Sequence, residues 1–155
     1  MDEFIARWGF VRSETLELLD TLTAEQLSFT PSGSDTWQPM YAHFGCIART
    51  QAVYAAAIER GVMDFGLFQM LELPEKKQFA DKSFAITHLD EINRLWCAML
   101  VKDVAVMWPG QQEVSLANHV MRLAEHERLH HGQLISYFTL AGIDLPKNFK
   151  QNWAL

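Results

Sequence analysis

The sequence of 155 residues has little cysteine, no excess of positive charge and no long apolar run. Its two cysteines, Cys46 and Cys97, are too few for the disulfide framework of a small secreted protein. No apolar run approaches the ~18 residues that a transmembrane helix needs. The net charge of −6 argues against nucleic acid or an anionic membrane as the partner, because both attract a basic face.

The beginning of the chain, Met1-Asp2-Glu3-Phe4, is acidic and does not have the basic and then apolar plan of a signal peptide. We therefore expect a cytoplasmic protein with reduced thiols. The length suits one domain, residues 1–155, and 49% hydrophobic against 21% charged residues is typical of a soluble globular protein. The sequence also has no glycine-rich phosphate loop, no Cys-x-x-Cys pair and no serine-nucleophile elbow.

Four long segments repeat apolar residues with the three-four spacing of an amphipathic helix. The predicted helices cover residues 3–21, 37–60, 83–107 and 115–141. Residues 62–82, interrupted by Gly66 and Pro74, predict a long connection with a short helix that could cover a pocket. Alternation typical of strands is absent from the sequence. The pattern therefore predicts an all-α four-helix bundle with a long crossover between its second and third helices.

Histidine is concentrated near the middle of the last predicted helix. His126 and His130 are four residues apart, so in a helix they lie on one face, ~6 Å apart along the axis. Two imidazoles in this arrangement bind one metal ion in zinc metallopeptidases. A bundle builds metal sites from inward side chains of facing helices, and His43, in an apolar stretch of the second helix, is the strongest third candidate. Three such nitrogens suit Zn²⁺, Ni²⁺, Fe²⁺ or Mn²⁺ and leave coordination positions open.

The neighbours of the histidine pair have less specific interpretations. His131 is rotated ~100° from His130, so we expect it to face a neighbouring helix or solvent. Glu125 and Glu127 point away from the face of His126. We expect both to be solvated helix charges, although Glu127 is able to reach across to another helix.

Other polar residues near the predicted site have several interpretations. Cys46 lies one turn after His43 and is a fourth ligand, a redox-sensitive thiol or a small buried residue. Gln133 is placed to orient a ligand or substrate. His119 is expected in a pocket wall or the core, and His88 in the core. An apolar substrate pocket would have aromatic and methionine walls: Trp37, Tyr41, Met63, Phe65, Phe68 and Trp108.

These residues resemble the DinB/YfiT-like superfamily of metal-binding four-helix bundles. His43 and the segment 126–134 carry the resemblance, because the segment is similar to the family pattern His-x-x-x-His-Arg-Gly-Gln, with His131 in place of the arginine. Residues 22–27 and Trp37 before the motif, and residues 137–138 and 141–146 after it, are also similar to that family. The resemblance implies that His43, His126 and His130 are the metal triad, and that the ion is nickel, zinc or another divalent metal.

The resemblance also implies a function. Characterised members of the superfamily include transferases that add a low-molecular-weight thiol, such as bacillithiol, to electrophiles, and a mycothiol-dependent isomerase. We therefore expect a metal-dependent transferase that activates a thiol for attack on a small electrophilic substrate in detoxification or stress response. Two alternatives stay open: a metal-dependent hydrolase with metal-bound water, for which Glu127 is the only nearby base, and a non-catalytic metal-binding stress-response protein. A homodimer is expected by the same resemblance.

Overall fold

The protein is built from four long helices, seen in a computed structural model that describes residues 2–32, 36–100 and 104–154. The long helices are α1 (Asp2–Thr21), α3 (Tyr41–Arg60), α5 (Lys82–Met99) and α6 (Leu116–Ala141). The shorter elements are α2 (Ala24–Leu27), α4 (Leu67–Met70), a 3₁₀ helix (Lys76–Ala80), β1 (Ala105–Trp108), β2 (Gln112–Ser115) and α7 (Lys147–Trp153). The predicted all-α class is confirmed, with one small two-stranded sheet added to it. None of the helices in the described ranges is both long and apolar enough to cross a membrane.

The long helices begin and end where local chemistry satisfies their terminal backbone groups. Asp81 caps α5 by accepting hydrogen bonds from the backbone N–H groups of Ser83 and Phe84. Gly61 ends α3 with a φ of 69° and Gly142 ends α6 with a φ of 66°, a left-handed conformation that suits glycine. The second long helix starts at Tyr41, so the predicted start at residue 37 was four residues too early.

The crossover between α3 and α5 packs directly on α3. A Cβ atom on Gly45 would lie 3.1 Å from the Lys76 Cα and 3.1 Å from the Phe79 ring, so the glycine permits this close approach. Arg49 also donates a hydrogen bond of 2.7 Å from Nη1 to the Pro74 carbonyl. The predicted long crossover is therefore present, and it places Lys76 against the first half of α3.

A β-hairpin begins inside the predicted third helix, which was expected to reach Met107; residues 101–103 of that predicted helix lie outside the described residues. Helix α5 ends at Met99, and β1 pairs with β2 in antiparallel register, with Val106 opposite Val114 and both side chains buried. Gly110 and Gln111 turn the chain with φ values of 82° and 61°. Each strand has only four residues, which is too short for alternation to stand out from helical spacing. The expectation of no strands was wrong for this reason.

A layer of buried polar side chains divides the apolar core into two groups. One group, called the hairpin-side core, includes Trp8, Trp96 and Val106. The other, called the cleft-side core after the cleft described below, includes Leu22, Phe44, Phe79 and Phe138. Between them along the helices lies the polar layer, formed by Arg12, Thr15, Gln51, Glu127 and His131. Each long helix that contributes to the layer therefore has apolar contacts on both sides of its polar residues.

Candidate metal centre

Helices α3 and α6 bring the three predicted ligands together. His43 lies in the first turn of α3, and its Nδ1 is 3.1 Å from Nδ1 of His130 near the middle of α6. The rings of His126 and His130 are 4.7 Å apart between centroids, and those of His43 and His130 are 5.3 Å apart. His43 and His130 are thus neighbours although they are 87 positions apart in sequence.

Cys46 is the fourth side chain of this cluster. Its Sγ lies 3.8 Å from Nε2 of His126, and the candidate ligand atoms of Cys46, His126 and His130 all lie within 4.8 Å of one another. Around a tetrahedral zinc ion, nitrogen and sulfur ligands are ~3.3–3.6 Å from each other. The group of Cys46, His126 and His130 could therefore hold a metal ion, and His43 is not part of that group. Of the interpretations that the sequence left open for Cys46, fourth ligand is compatible with this geometry.

Burial keeps these imidazoles neutral. Desolvation lowers the pKa of His43 and of His126. For His130, desolvation and then the positive charges that His126 and His43 would carry lower the pKa to about 3. Gln133 hydrogen-bonds both His43 and His130 and acts in the opposite direction on the pKa of each. Neutral imidazole is the form that binds a metal, so the cluster is in its ligand form at neutral pH.

The nitrogen atoms of the cluster fit a bound cation. Two neutral imidazoles cannot direct lone pairs at each other across 3.1 Å, so the His43–His130 contact needs a proton or a cation between the rings. In addition, Nε2 of His43 and Nδ1 of His126 are buried and have no hydrogen-bond partner among the described residues. These are the ring nitrogens opposite those that face His130 and Cys46, so an ion bound between the rings would use the other nitrogen of each ring.

His43, Cys46 and His130 line an open cleft of about 430 Å³, whereas His126 is not among its lining residues. The Tyr137 ring packs 4.7 Å from the His43 ring, and its hydroxyl donates a 2.7 Å hydrogen bond to the Gln38 carbonyl. Trp37 packs on Tyr137 with 5.3 Å between ring centroids. The lining residues are Thr36, Trp37, Gln38, Ala42, His43, Cys46, Lys76, His130, Gln133, Ser136 and Tyr137.

Most of the aromatic residues that we expected around the pocket lie elsewhere. Trp37 lines the cleft, but Phe65 and Trp108 pack on each other at the hairpin, 6.1 Å apart between ring centroids. Met63 and Phe68 belong to the hairpin-side core, and Tyr41 packs against the cleft-side core. The hairpin, which the sequence did not predict, draws Trp108 away from the site.

His119 and His88 have the structural roles that were expected of them. Trp108 Nε1 donates to Nδ1 of His119 at 3.2 Å, and Nε2 of His119 lies 3.0 Å from the Tyr54 carbonyl. Both ring nitrogens of this buried histidine are therefore satisfied within the core. His88 is half-buried and stacks on Phe84 with 5.5 Å between ring centroids.

Glu127 is a buried ion-pair partner that reaches across to another helix, which was the alternative to the solvated charge that we expected first. Its Oε2 lies 3.0 Å from Nη2 of Arg12, and its Oε1 accepts a hydrogen bond from the Thr15 hydroxyl. The correction has a tertiary cause, because α1 packs on the face of α6 that carries Glu127. The periodicity of α6 alone does not reveal this second packed face, and Glu127 is not among the residues that line the cleft.

His131 faces the neighbouring helix α1, which is one of the two environments that we expected. Its Nε2 lies 2.7 Å from the Thr15 hydroxyl. Desolvation and then the positive charges of Arg128 and Arg12 lower its pKa to about 3. Because the ring is neutral at pH 7, its 3.9 Å contact with the Glu14 carboxylate is not an ion pair under those conditions. The sequence analysis did not identify Arg12 as a buried residue. Its position beside the apolar face of α1 could have indicated this.

Comparison with known proteins identifies the fold. Neither the known protein families nor the curated proteins include a match to this sequence. Among solved structures, the crystal structure of a DinB-like protein, YjoA from Bacillus subtilis, is similar with a TM-score of 0.69. The similarity covers 93% of this chain and 96% of that chain at 17% sequence identity. The protein therefore has the DinB-like fold, as the sequence resemblance implied.

Proposed function

We propose that the protein binds one divalent metal ion through His43, His126 and His130 and uses it to activate a low-molecular-weight thiol for attack on an electrophile. The observation that carries this proposal is the proximity of three imidazoles from α3 and α6, of which His130 is buried and His43 and His126 are partly buried, beside an open cleft that His43 and His130 line. A site that opens on a cleft leaves room for an exogenous ligand beside the protein ligands. Zinc, nickel, iron and manganese all suit this donor set.

The chemistry divides between the ion and the chain. A divalent ion held there would favour the deprotonated form of a thiol, whose proton leaves to solvent. The thiolate sulfur then forms a bond to the electrophilic carbon, and the leaving group departs with its bonding electrons. Trp37 and Tyr137 supply flat apolar surface for the electrophile, while Gln133 and Ser136 supply hydrogen-bonding groups in the same cleft.

A non-catalytic metal-binding protein is the second candidate, and Cys46 is the observation that favours it. Its Sγ is close enough to His126 to complete a four-ligand set made only of protein atoms. Such a closed set is typical of structural zinc. The hydrolase alternative is disfavoured, because both carboxylate oxygens of Glu127 are engaged by α1.

The ligand set is tested with protein purified without a histidine tag and titrated with Co²⁺. His43→Ala and His126→Ala should each weaken binding by at least about 100-fold, since removing a ligand costs more than removing a residue that orients one. His88→Ala is the matched control and should bind like the unaltered protein, with circular dichroism confirming that each variant folds. Full affinity in the His43→Ala variant would show that the triad is wrong.

Activation of a thiol is tested on the Co²⁺ form. Adding 2-mercaptoethanol should change its absorption spectrum, and the same thiol should be consumed with 1-chloro-2,4-dinitrobenzene faster than in the metal-free protein. If no small thiol changes the spectrum, the transferase proposal fails and the closed site is favoured. Hydrolysis of an ester without added thiol would instead support the hydrolase.

A further inference from the structure

The cleft that His43 and His130 line differs in charge from the protein as a whole, which is acidic. The chain has a net charge of −6, yet the residues that the structure describes around the cleft include no carboxylate. Lys76 is the fixed positive charge among those lining residues. An anion that enters the cleft would therefore meet a cation, although much of the protein surface would repel it.

Lys76 is held at this place by the packing of the crossover. Gly45 allows the 3₁₀ helix to approach α3 so closely that a Cβ there would lie 3.1 Å from the Lys76 Cα. The Lys76 ammonium group donates to Oε1 of Gln38, 3.3 Å away on another wall of the cleft. An amide that accepts through its oxygen still has N–H groups to donate, so Gln38 adds neutral donors beside the ammonium.

The ammonium group of Lys76 is not neutralised by a neighbouring acid. Its sequence neighbour Lys77 forms the ion pair with Glu75, with 2.8 Å between Nζ and Oε2. Within the described ranges, no carboxylate oxygen lies within 4.0 Å of the Lys76 ammonium. Lys77 is therefore paired at the surface, whereas Lys76 is available to bind an anionic group in the cleft.

We propose that the cleft selects thiols that carry a carboxylate, and that Lys76 is the residue that binds this carboxylate. The proposal rests on the proposed function, since it places the sulfur of the ligand at the histidine cluster and its anionic end at the cleft wall. Lys76 lines the same cleft as His43 and His130. A ligand with sulfur at one end and carboxylate at the other could contact both the histidines and Lys76 within this cleft.

The test compares two thiols that differ in this group, 3-mercaptopropionate and 3-mercapto-1-propanol, by titration of the Co²⁺ form at low salt. The carboxylate thiol should bind about three- to fivefold more tightly, which is the upper range for a half-exposed ion pair. Lys76→Met should abolish this preference, and Lys76→Arg should keep it. Lys77→Met is the matched control and should also keep it. At 1 M salt the preference should shrink, because exposed charges are screened.

The outcomes separate the two proposals. A preference that persists in Lys76→Met overturns the role of Lys76, while the proposed function stands. If neither thiol changes the spectrum, the proposed function fails. The anion site is then tested separately, by following the indole N–H signal of Trp37 in an NMR titration with propionate. That signal should shift in the unaltered protein and not in Lys76→Met; no shift in either overturns the anion site. A response to inorganic phosphate at lower concentration than to propionate overturns the choice of carboxylate.

Discussion

Replacing Arg12 by methionine removes the cation from the polar layer that divides the core. The Arg12 and Glu127 side chains are only 2% and 1% exposed, and 3.0 Å separates their nitrogen and oxygen. Arg12 also donates to Oε1 of Gln51 at 2.6 Å, while its Nε and Nη1 atoms have no partner among the described residues. The variant would therefore leave a buried carboxylate whose remaining donor is the Thr15 hydroxyl.

We expect this single change to lower the free energy of unfolding by about 3–5 kcal/mol, because it leaves an uncompensated buried charge. Desolvation lowers the pKa of Arg12 and raises that of Glu127, in each case as the largest cause, so burial outweighs the mutual attraction. The double variant Arg12→Met/Glu127→Leu should consequently lose much less stability than the sum of the two single variants.

The assay is urea unfolding of metal-free protein followed by circular dichroism, with all variants in one buffer. Lys82→Met is the control, because it removes an ion pair with an Asp20 side chain that is 82% exposed and should cost less than about 1 kcal/mol. If the double variant loses the sum of the two single losses, the residues are not coupled and the reasoning fails.

The stability that Arg12→Met loses should increase with pH. The pKa of Glu127 is raised in the folded protein, so its protonated form is favoured on folding, and ionisation costs stability as pH rises through the folded pKa. Loss of the Arg12 charge raises that pKa further. The deficit of Arg12→Met relative to the unaltered protein should therefore be larger at pH 8 than at pH 5, and an equal deficit at both would contradict the assignment.

Two further predictions concern the histidine cluster and its neighbours. The metal-free protein should lose stability as pH falls below about 6.5, since His130 and His131 have folded pKa values of about 3 and the unfolded chain binds protons first. At pH 4.5 each of these two histidines should lower the free energy of unfolding by about 2–3 kcal/mol, measured by urea unfolding. Unchanged stability would contradict their buried neutral state. Separately, the closed site with Cys46 as fourth ligand predicts a near-ultraviolet sulfur-to-metal band in the thiol-free Co²⁺ form that Cys46→Ser should lose, because Sγ lies 3.8 Å from His126 Nε2, whereas the proposed three-histidine site predicts no such band. Absence of that band in the unaltered protein would show that Cys46 is not a ligand.

Helical periodicity was sufficient to predict one part of the candidate site. His126 and His130 share a face because a helix repeats every 3.6 residues, and this holds wherever the helix packs. The apolar stretch around His43 indicated a buried histidine on a facing helix. The structure brings the three residues together, while their role as metal ligands remains the proposal.

Residues with more than one packed face were harder to predict. Glu127 and His131 lie off the helix face of His126 and His130. The sequence pattern left each of them either in solvent or at another helix, with solvent preferred for Glu127. Helix α1 buries both and supplies Arg12 and Thr15 as partners. A one-dimensional pattern does not contain this packing, because it depends on which helix lies beside α6 and at which height.

The sequence by itself determined the helical class, the long crossover and the pairing of His126 with His130, because spacing along one chain fixes which side chains share a helix face. Tertiary structure alone decided which residues from other elements meet them. It placed Cys46 beside His126, Lys76 at the cleft and Arg12 against Glu127. It also formed the hairpin from residues 105–115, whose short strands gain their stability from pairing and burial rather than from a local pattern.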